Sequence, residues 1–387
     1  MSTVEPMVQP GPLSWDALPT HPRRRWLWWA VPLALVALLL AASVTVTLPY
    51  YAIAPGSARE VNDLIQPPPD HRYPPRGALF LTTVSLRRVT PVEALYGWLN
   101  SDIDVVPQDQ ILPPSTKPSD LQRANFQAMD ESKQIAAVVA MRRLGYPVAE
   151  HGEGAGIAEI VKGSPSDGHL APGEVITAVD GKPVQLSDDV VTAIGSRHPG
   201  DHLALEVDKG NGTPKRTEDI ILGAAPVDRS TCEAPVQAGR PPAAGSLPCL
   251  GVRLQTKGLR FDFPFSVNVD SAGIGGPSAG LAFTLGILDA LRPGELTGGH
   301  RVAVTGTMSL DGTVGPVGGV VQKTAAVRAA GIGLFLVPPQ EYAMARAKAG
   351  SKLKVVQVAT LDEALAALAQ QGGDLSALGP APSGAPG

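Results

Sequence analysis

Between Trp26 and Leu48 the chain runs for 23 residues without a charged side chain. As a helix this run would be roughly 34 Å long, enough to cross the hydrocarbon core of a bilayer. Arg23, Arg24 and Arg25 stand directly before it. Trp26, Trp28 and Trp29 at one end and Tyr50 and Tyr51 at the other suit the two membrane interfaces. The arginines set the orientation: residues 1–25 in the cytoplasm, a transmembrane helix over 26–48 as a single-pass anchor in the cell membrane, and everything after it outside. The rival reading is a cleaved signal peptide cut near Ala41-Ala42-Ser43, against which the length of the run argues. Both readings export the same domains. In that oxidising setting Cys232 and Cys249 can form a disulfide, and two free thiols are the alternative.

Composition narrows what the exported part can do. Lys+Arg 32 against Asp+Glu 36 gives no basic excess, so no nucleic-acid partner is expected. Two cysteines are too few for a structural zinc site, and no His-Glu-x-x-His motif occurs, so no metal or cofactor is expected. Residues 49–76, with Pro67-Pro68-Pro69 and Pro74-Pro75, read as a linker. In 77–145 a strand is predicted at 78–85 and a helix at 132–144; too small to fold alone, they are expected to pack on the α/β segment 250–371, with the strand-and-turn segment inserted between. Residues 146–225 follow a strand-and-turn rhythm, 226–249 read as a connector, and 250–371 alternate β and α. The Gly/Pro/Ala-rich 372–387 read as a disordered tail.

In the strand-and-turn segment, Gly163-Ser164-Pro165-Ser166 leads to Leu170-Ala171-Pro172-Gly173-Glu174-Val175-Ile176 and then Val179-Asp180-Gly181. This resembles the bacterial PDZ pattern, with Glu174 where Asp is usual. A PDZ module works by strand addition, a peptide pairing with a sheet edge while backbone N–H groups hold its carboxylate. Gly152–Ile157 is the candidate carboxylate loop, which makes Gly154, Gly156 and Ile157 the candidate peptide-binding residues. The bland alternative is that these glycines only make turns.

Further on, Gly275-Gly276-Pro277-Ser278-Ala279-Gly280 opens an apolar helix, and the run Pro316-Val317-Gly318-Gly319-Val320-Val321-Gln322-Lys323, whose lysine lies 45 residues after Ser278, opens another. A serine at a helix N-terminus has free N–H groups beside it to stabilise an oxyanion. Pro277 has no N–H, so the donors fall to Ser278 and to Gly275 or Gly276. The serine needs a base. Lys323, among apolar neighbours early in a helix, should have a depressed pKa and can serve. Read singly, Ser278 is an ordinary helix-start residue and Lys323 a solvated lysine; read together and in this order they make a catalytic pair. After residue 250 the only histidine is His300, in a Gly-rich loop.

The two motifs together resemble the proteolytic domain of the Lon family, and with the anchor and the PDZ-like segment they resemble bacterial membrane-anchored PDZ-containing Lon-like proteases. Gly275 departs from the Asp usual in ATP-driven members. The resemblance implies an α/β (α+β) proteolytic domain plus a mostly-β PDZ domain, a Ser278/Lys323 dyad, Thr305 orienting the lysine amine, and assembly into a homo-oligomer. The one Gly-Lys pair, Gly181-Lys182, follows no P-loop pattern, so no ATPase engine is expected within these residues. The expectation is an ATP-independent serine endopeptidase acting on exported or membrane-associated polypeptides. A PDZ scaffold with a silent Lon-like domain and a protease that cuts only its own anchor region are the alternatives.

Overall fold

The computed structural model describes residues 25–112, 116–210, 212–226, 232, 246–271 and 273–378. The N-terminal part carries, in order, α1 (Arg25–Thr45), β1 (Tyr50–Glu60), β2 (Ile65–Gln66), β3 (Ala78–Arg88), α2 (Pro91–Leu99), β4 (Asp104–Pro107), α3 (Gln108–Ile111) and α4 (Pro118–Arg143). Two compact units are present.

One unit comprises the chain up to Pro55 and Ser85–Ser115. In it β1 pairs antiparallel with β4, Tyr50 opposite Pro107, and Ala52, Val89 and Ala94 form a small core. Thr90 starts α2 with a capping box: its hydroxyl accepts from the Glu93 N–H while the Glu93 carboxylate accepts from the Thr90 N–H. The uncharged run is helical, but α1 ends at Thr45 rather than at Leu48, and its side chains are described from Trp29 onward. Among the described residues no helix is long and apolar enough to cross a membrane. Leu33, Val36, Leu39 and Leu40 of α1 are exposed. The expected linker over 49–76 needs correction. Its first part is β1, with Tyr51 and Ala52 buried, and the proline clusters come only after that strand.

The other unit comprises Gly56–Val84 and Thr116–Gly387. Its centre is a parallel array in which β3 pairs with β16 (Arg301–Val304), β16 with β19 (Leu334–Val337) and β19 with β20 (Lys354–Gln357). Over 79–81, 302–304 and 334–337 these strands are apolar on both faces because helices cover both. Successive residues point to opposite sides. Leu79, Leu81, Val302, Val304, Leu334 and Leu336 join the core shared with α4, α6 (Gly280–Leu291) and α9 (Leu361–Ala369). Phe80, Ala303, Phe335 and Val337 join the core shared with α7 (Val320–Ala329) and α8 (Pro339–Ala349). The strand pairing β16 thus comes from before the PDZ-like segment, with Ala78 opposite Arg301. Helix α4 is twice as long as the predicted 132–144, since its first half carries few apolar residues.

The PDZ-like segment holds β5 (Ala149–His151), β6 (Ala155–Ile160), β7 (Val175–Val179), β8 (Lys182–Pro183), α5 (Ser187–Gly195), β9 (His202–Asp208), β10 (Arg216–Ile221) and β11 (Gly223–Ala225), and the end of the expected connector forms β12 (Leu247–Cys249), paired with β11. Its sheet runs β10-β9-β7-β6-β13, where β13 is Val252–Thr256. The sequence reading assigned β13 to the proteolytic segment; its ladder to β6 places it on the PDZ sheet instead. Glu174, the departure from the usual Asp, is buried and forms two hydrogen bonds to Arg216, at 2.7 and 2.9 Å. The guanidinium holds its carboxyl below the usual range. Cys232 and Cys249 are bonded, with Cα atoms 5.9 Å apart. Most of the connector reading, 227–231 and 233–245, lies outside the described residues.

The expected disordered tail is corrected over 372–378. Gly373 donates to the Leu368 carbonyl, Asp374 to that of Glu295, and the buried Arg292 reaches the Asp374 carbonyl. Residues 379–387 lie outside the described residues.

Candidate active site

Gly276 has φ +92°, a backbone state that costs a side-chain-bearing residue strain, and it aims the chain into a 3-10 turn over Pro277–Ala279. Proline at the first position of this turn fits because its missing N–H had no partner to lose. Helix α6 follows directly and is buried on every side through Asp289. The turn is held from several directions. Ser132 of α4 donates its hydroxyl to the Pro277 carbonyl at 3.1 Å, and the Gly276 N–H donates to the Asn125 carbonyl at 2.8 Å. Gly306 N–H donates to the Ser278 carbonyl at 3.0 Å. A Cβ on Gly280 would lie 2.8 Å from the Met308 nitrogen, so the close approach of β17 (Thr307–Met308) requires glycine there. Ser278 itself is half-buried.

Lys323 arrives from another layer. Gly319, at φ +68°, turns the chain into α7, and Lys323 is the fourth residue of that helix. Its side chain is 2% exposed, and Nζ donates to Thr305 Oγ1 at 3.0 Å. Thr305, fully buried just past the C-terminal end of β16, in turn donates its hydroxyl to the Ser278 carbonyl at 3.3 Å. One threonine therefore touches both the lysine amine and the backbone of the serine turn. Open α/β sheets gather their sites at the C-terminal ends of parallel strands, and this site obeys that rule.

Electrostatics match the geometry. Burial lowers the Lys323 pKa to about 8, and the negative charge of Glu341 on α8 opposes the shift without cancelling it. A lysine in that range is neutral often enough near physiological pH to act as a base. Of the expected oxyanion donors, Gly276 N–H is committed to Asn125, which leaves Ser278 and Gly275. His300 is exposed and its N–H is bonded to the Thr297 carbonyl. Among the described residues no cluster of His, Cys, Asp and Glu is suited to hold a metal ion.

The structure brings Ser278, Lys323, Thr305, Gly275 and Gly276 into one region, and leaves Gly154, Gly156 and Ile157 in the PDZ-like module, where Gly156 and Ile157 lie in strand β6 rather than in the expected loop and Ile157 is buried in the core. Sequence reasoning missed Asn125, Ser132 and Glu341. Ser132 had a faint signal, a hydroxyl on the buried stripe of a helix; Asn125 acts through its backbone, which no side-chain pattern reveals.

Comparison with known proteins fits this arrangement. Residues 268–371 match the family model of the Lon protease (S16) C-terminal proteolytic domain, and residues 142–218 match that of the PDZ domain. The chain thus carries a Lon-type proteolytic domain together with a PDZ domain. Among curated relatives, Lon protease 2 of Bacillus subtilis (strain 168) is 31% identical over 116 residues, 30% of this chain and 20% of that protein. Lon protease of Mycoplasma mobile is 35% identical over 94 residues, 22% of this chain and 11% of that protein. The chain therefore spans a fifth or less of these relatives. Among solved structures, the PDZ domain of the SdrC-like protein of Listeria innocua matches 26% of this chain and 92% of that chain, at 20% identity and a TM-score of 0.20.

Proposed function

We propose that this chain is a serine endopeptidase that needs no ATP, with Ser278 as nucleophile and Lys323 as base. The observation that carries the reading is the buried Lys323, its Nζ 3.0 Å from Thr305, which itself holds the Ser278 carbonyl. Neutral Lys323 takes the proton from Ser278 Oγ as that oxygen attacks the scissile carbonyl. The oxyanion that forms is met by the N–H of Ser278 and that of Gly275 at the start of the helix. Lys323 then gives its proton to the departing amine, and water, activated the same way, releases the acyl group. Thr305 keeps the amine on station throughout.

The same proposal holds the chain in the cell membrane through the uncharged run over 26–48, N-terminus inside, with the proteolytic domain outside. Exposed leucines along α1 and the three preceding arginines support that placement. Substrates are then exported or membrane-associated polypeptides, whose ends the PDZ module selects. Assembly with further copies of the chain, implied by the Lon-like resemblance, belongs to this reading as well.

A fluorophosphonate probe on the detergent-solubilised full chain tests the chemistry. Labelling of Ser278, and peptide cleavage without ATP that disappears in Ser278→Ala, is the expected result. Neither labelling nor cleavage in the parent chain would leave a silent scaffold.

A further inference from the structure

Strand addition needs a free sheet edge, and β6 has two edges. One is taken by β7, with Ala155 opposite Ile176. The other is taken by the chain's own β13, antiparallel, with Val252 opposite Ile160 and Thr256 opposite Ala155. Strand β13 runs antiparallel to β6, as an added peptide would, and touches α5. Its residues alternate half-buried and exposed, and Val252 and Leu254 pack against the module's core. At its far end Thr256 is gripped by the start of α5: its hydroxyl accepts from the Ser187 N–H at 3.0 Å and lies 3.1 Å from the Ser187 hydroxyl. The glycine loop expected to hold a carboxylate is likewise spent. Glu153 N–H donates to the Lys257 carbonyl at 2.7 Å, and Gly154 N–H to the Gln185 carbonyl at 3.2 Å.

We infer that β13 is a built-in occupant of the PDZ peptide groove, and that a free polypeptide end enters only by displacing it. The inference rests on reading this module as a peptide binder, as above. It makes the groove a competition between a tethered strand and an incoming end. If the groove is vacant in less than about a tenth of molecules, apparent affinity for a free peptide falls at least about tenfold.

The test uses the full chain in detergent and a fluorescein-labelled peptide copying residues 250–256, Leu-Gly-Val-Arg-Leu-Gln-Thr, with a free carboxylate. Leu254→Asp should loosen β13 and raise affinity for this peptide by about tenfold or more over the parent. In the parent, hydrogen exchange should show 250–257 protected, and excess peptide should speed exchange there while leaving 155–160 protected. Parent binding as tight as the variant's, with exchange at 250–257 unchanged, would overturn the inference by placing the peptide elsewhere. So would failure of peptide to bind either chain, or to alter exchange in the parent. Cleavage of a short unstructured peptide is measured alongside. Its loss with groove behaviour intact sinks the protease reading and leaves this inference standing.

Discussion

Replacing Lys323 by methionine should abolish activity and yet make the protein more stable near neutral pH. The side chain is 2% exposed, and its pKa falls from 10.5 to about 8. At about 1.4 kcal/mol per pKa unit, holding the ammonium in this site costs roughly 3 kcal/mol of folding stability. The sign follows from proton linkage. The unfolded chain binds the lysine proton more tightly, so stability is lowest below about pH 8 and rises between about pH 8 and 10.5 as the penalty fades. Methionine has nearly the same volume and no charge, but it forfeits the hydrogen bond to Thr305, about 1 kcal/mol. The balance predicts a gain of about 2 kcal/mol near pH 7 that vanishes, or turns into a slight loss, by about pH 10.5. Denaturant midpoints for the full chain in detergent, compared in a Ser278→Ala background that prevents self-cleavage, measure the difference at both pH values. A methionine variant less stable than its parent near neutral pH would refute the reasoning, as would a gap that does not shrink as pH rises. The same shift governs catalysis. About a tenth of Lys323 is neutral at pH 7 and about nine tenths at pH 9, so kcat/KM should rise roughly tenfold between them.

The dyad should act as one unit: Ser278→Ala, Lys323→Ala and the double variant should be about equally inactive in peptide cleavage, because partners in one catalytic step are not additive. Lys323→Arg should be equally dead, since guanidinium keeps its proton, whereas His300→Ala should cleave normally; the reverse pattern would point to histidine chemistry. Gly286→Leu should destabilise the folded chain by about 1–3 kcal/mol in a melt, because even a Cβ there would lie 2.5 Å from Ile65 Cδ1 and 2.7 Å from Val61 Cγ1. A chain beginning at Leu250 should aggregate, as it lacks β3 beside β16 and α4 against α6; cooperative unfolding with normal cleavage from that fragment would contradict the pairing. Protease shaving of intact cells should remove residues beyond about 55 and spare the N-terminus; the opposite pattern would reverse the proposed orientation.

Much of the site was legible because its chemistry sits in short local signals. Gly-Gly-Pro-Ser marks a helix start with a nucleophile, and a lysine among valines and alanines marks a buried amine. Apolar periodicity and Gly/Pro punctuation were enough to read 250–371 as alternating β and α, which the structure bears out. Even there the detail belongs to the fold. At the start of α9, Thr360-Leu361-Asp362-Glu363 has the pattern of a capping box, and Thr360 does accept from Glu363 N–H, but the Glu363 carboxylate accepts from Ala359 N–H instead of from Thr360 N–H.

What the sequence by itself determined is the set of local elements and the identity of the reacting groups, since both depend on residues near one another along the chain. Only the tertiary structure decided the long-range pairings. It put Ala78 opposite Arg301, brought the Asn125 carbonyl and the Ser132 hydroxyl to the serine turn, and laid Val252–Thr256 on the PDZ sheet rather than on the proteolytic one. The 250–256 stretch alternates as any half-buried strand does, and alternation specifies a face to bury without naming the edge it pairs with. Which edge wins depends on loop closure and packing summed over the whole chain, and no local pattern in the sequence records that sum.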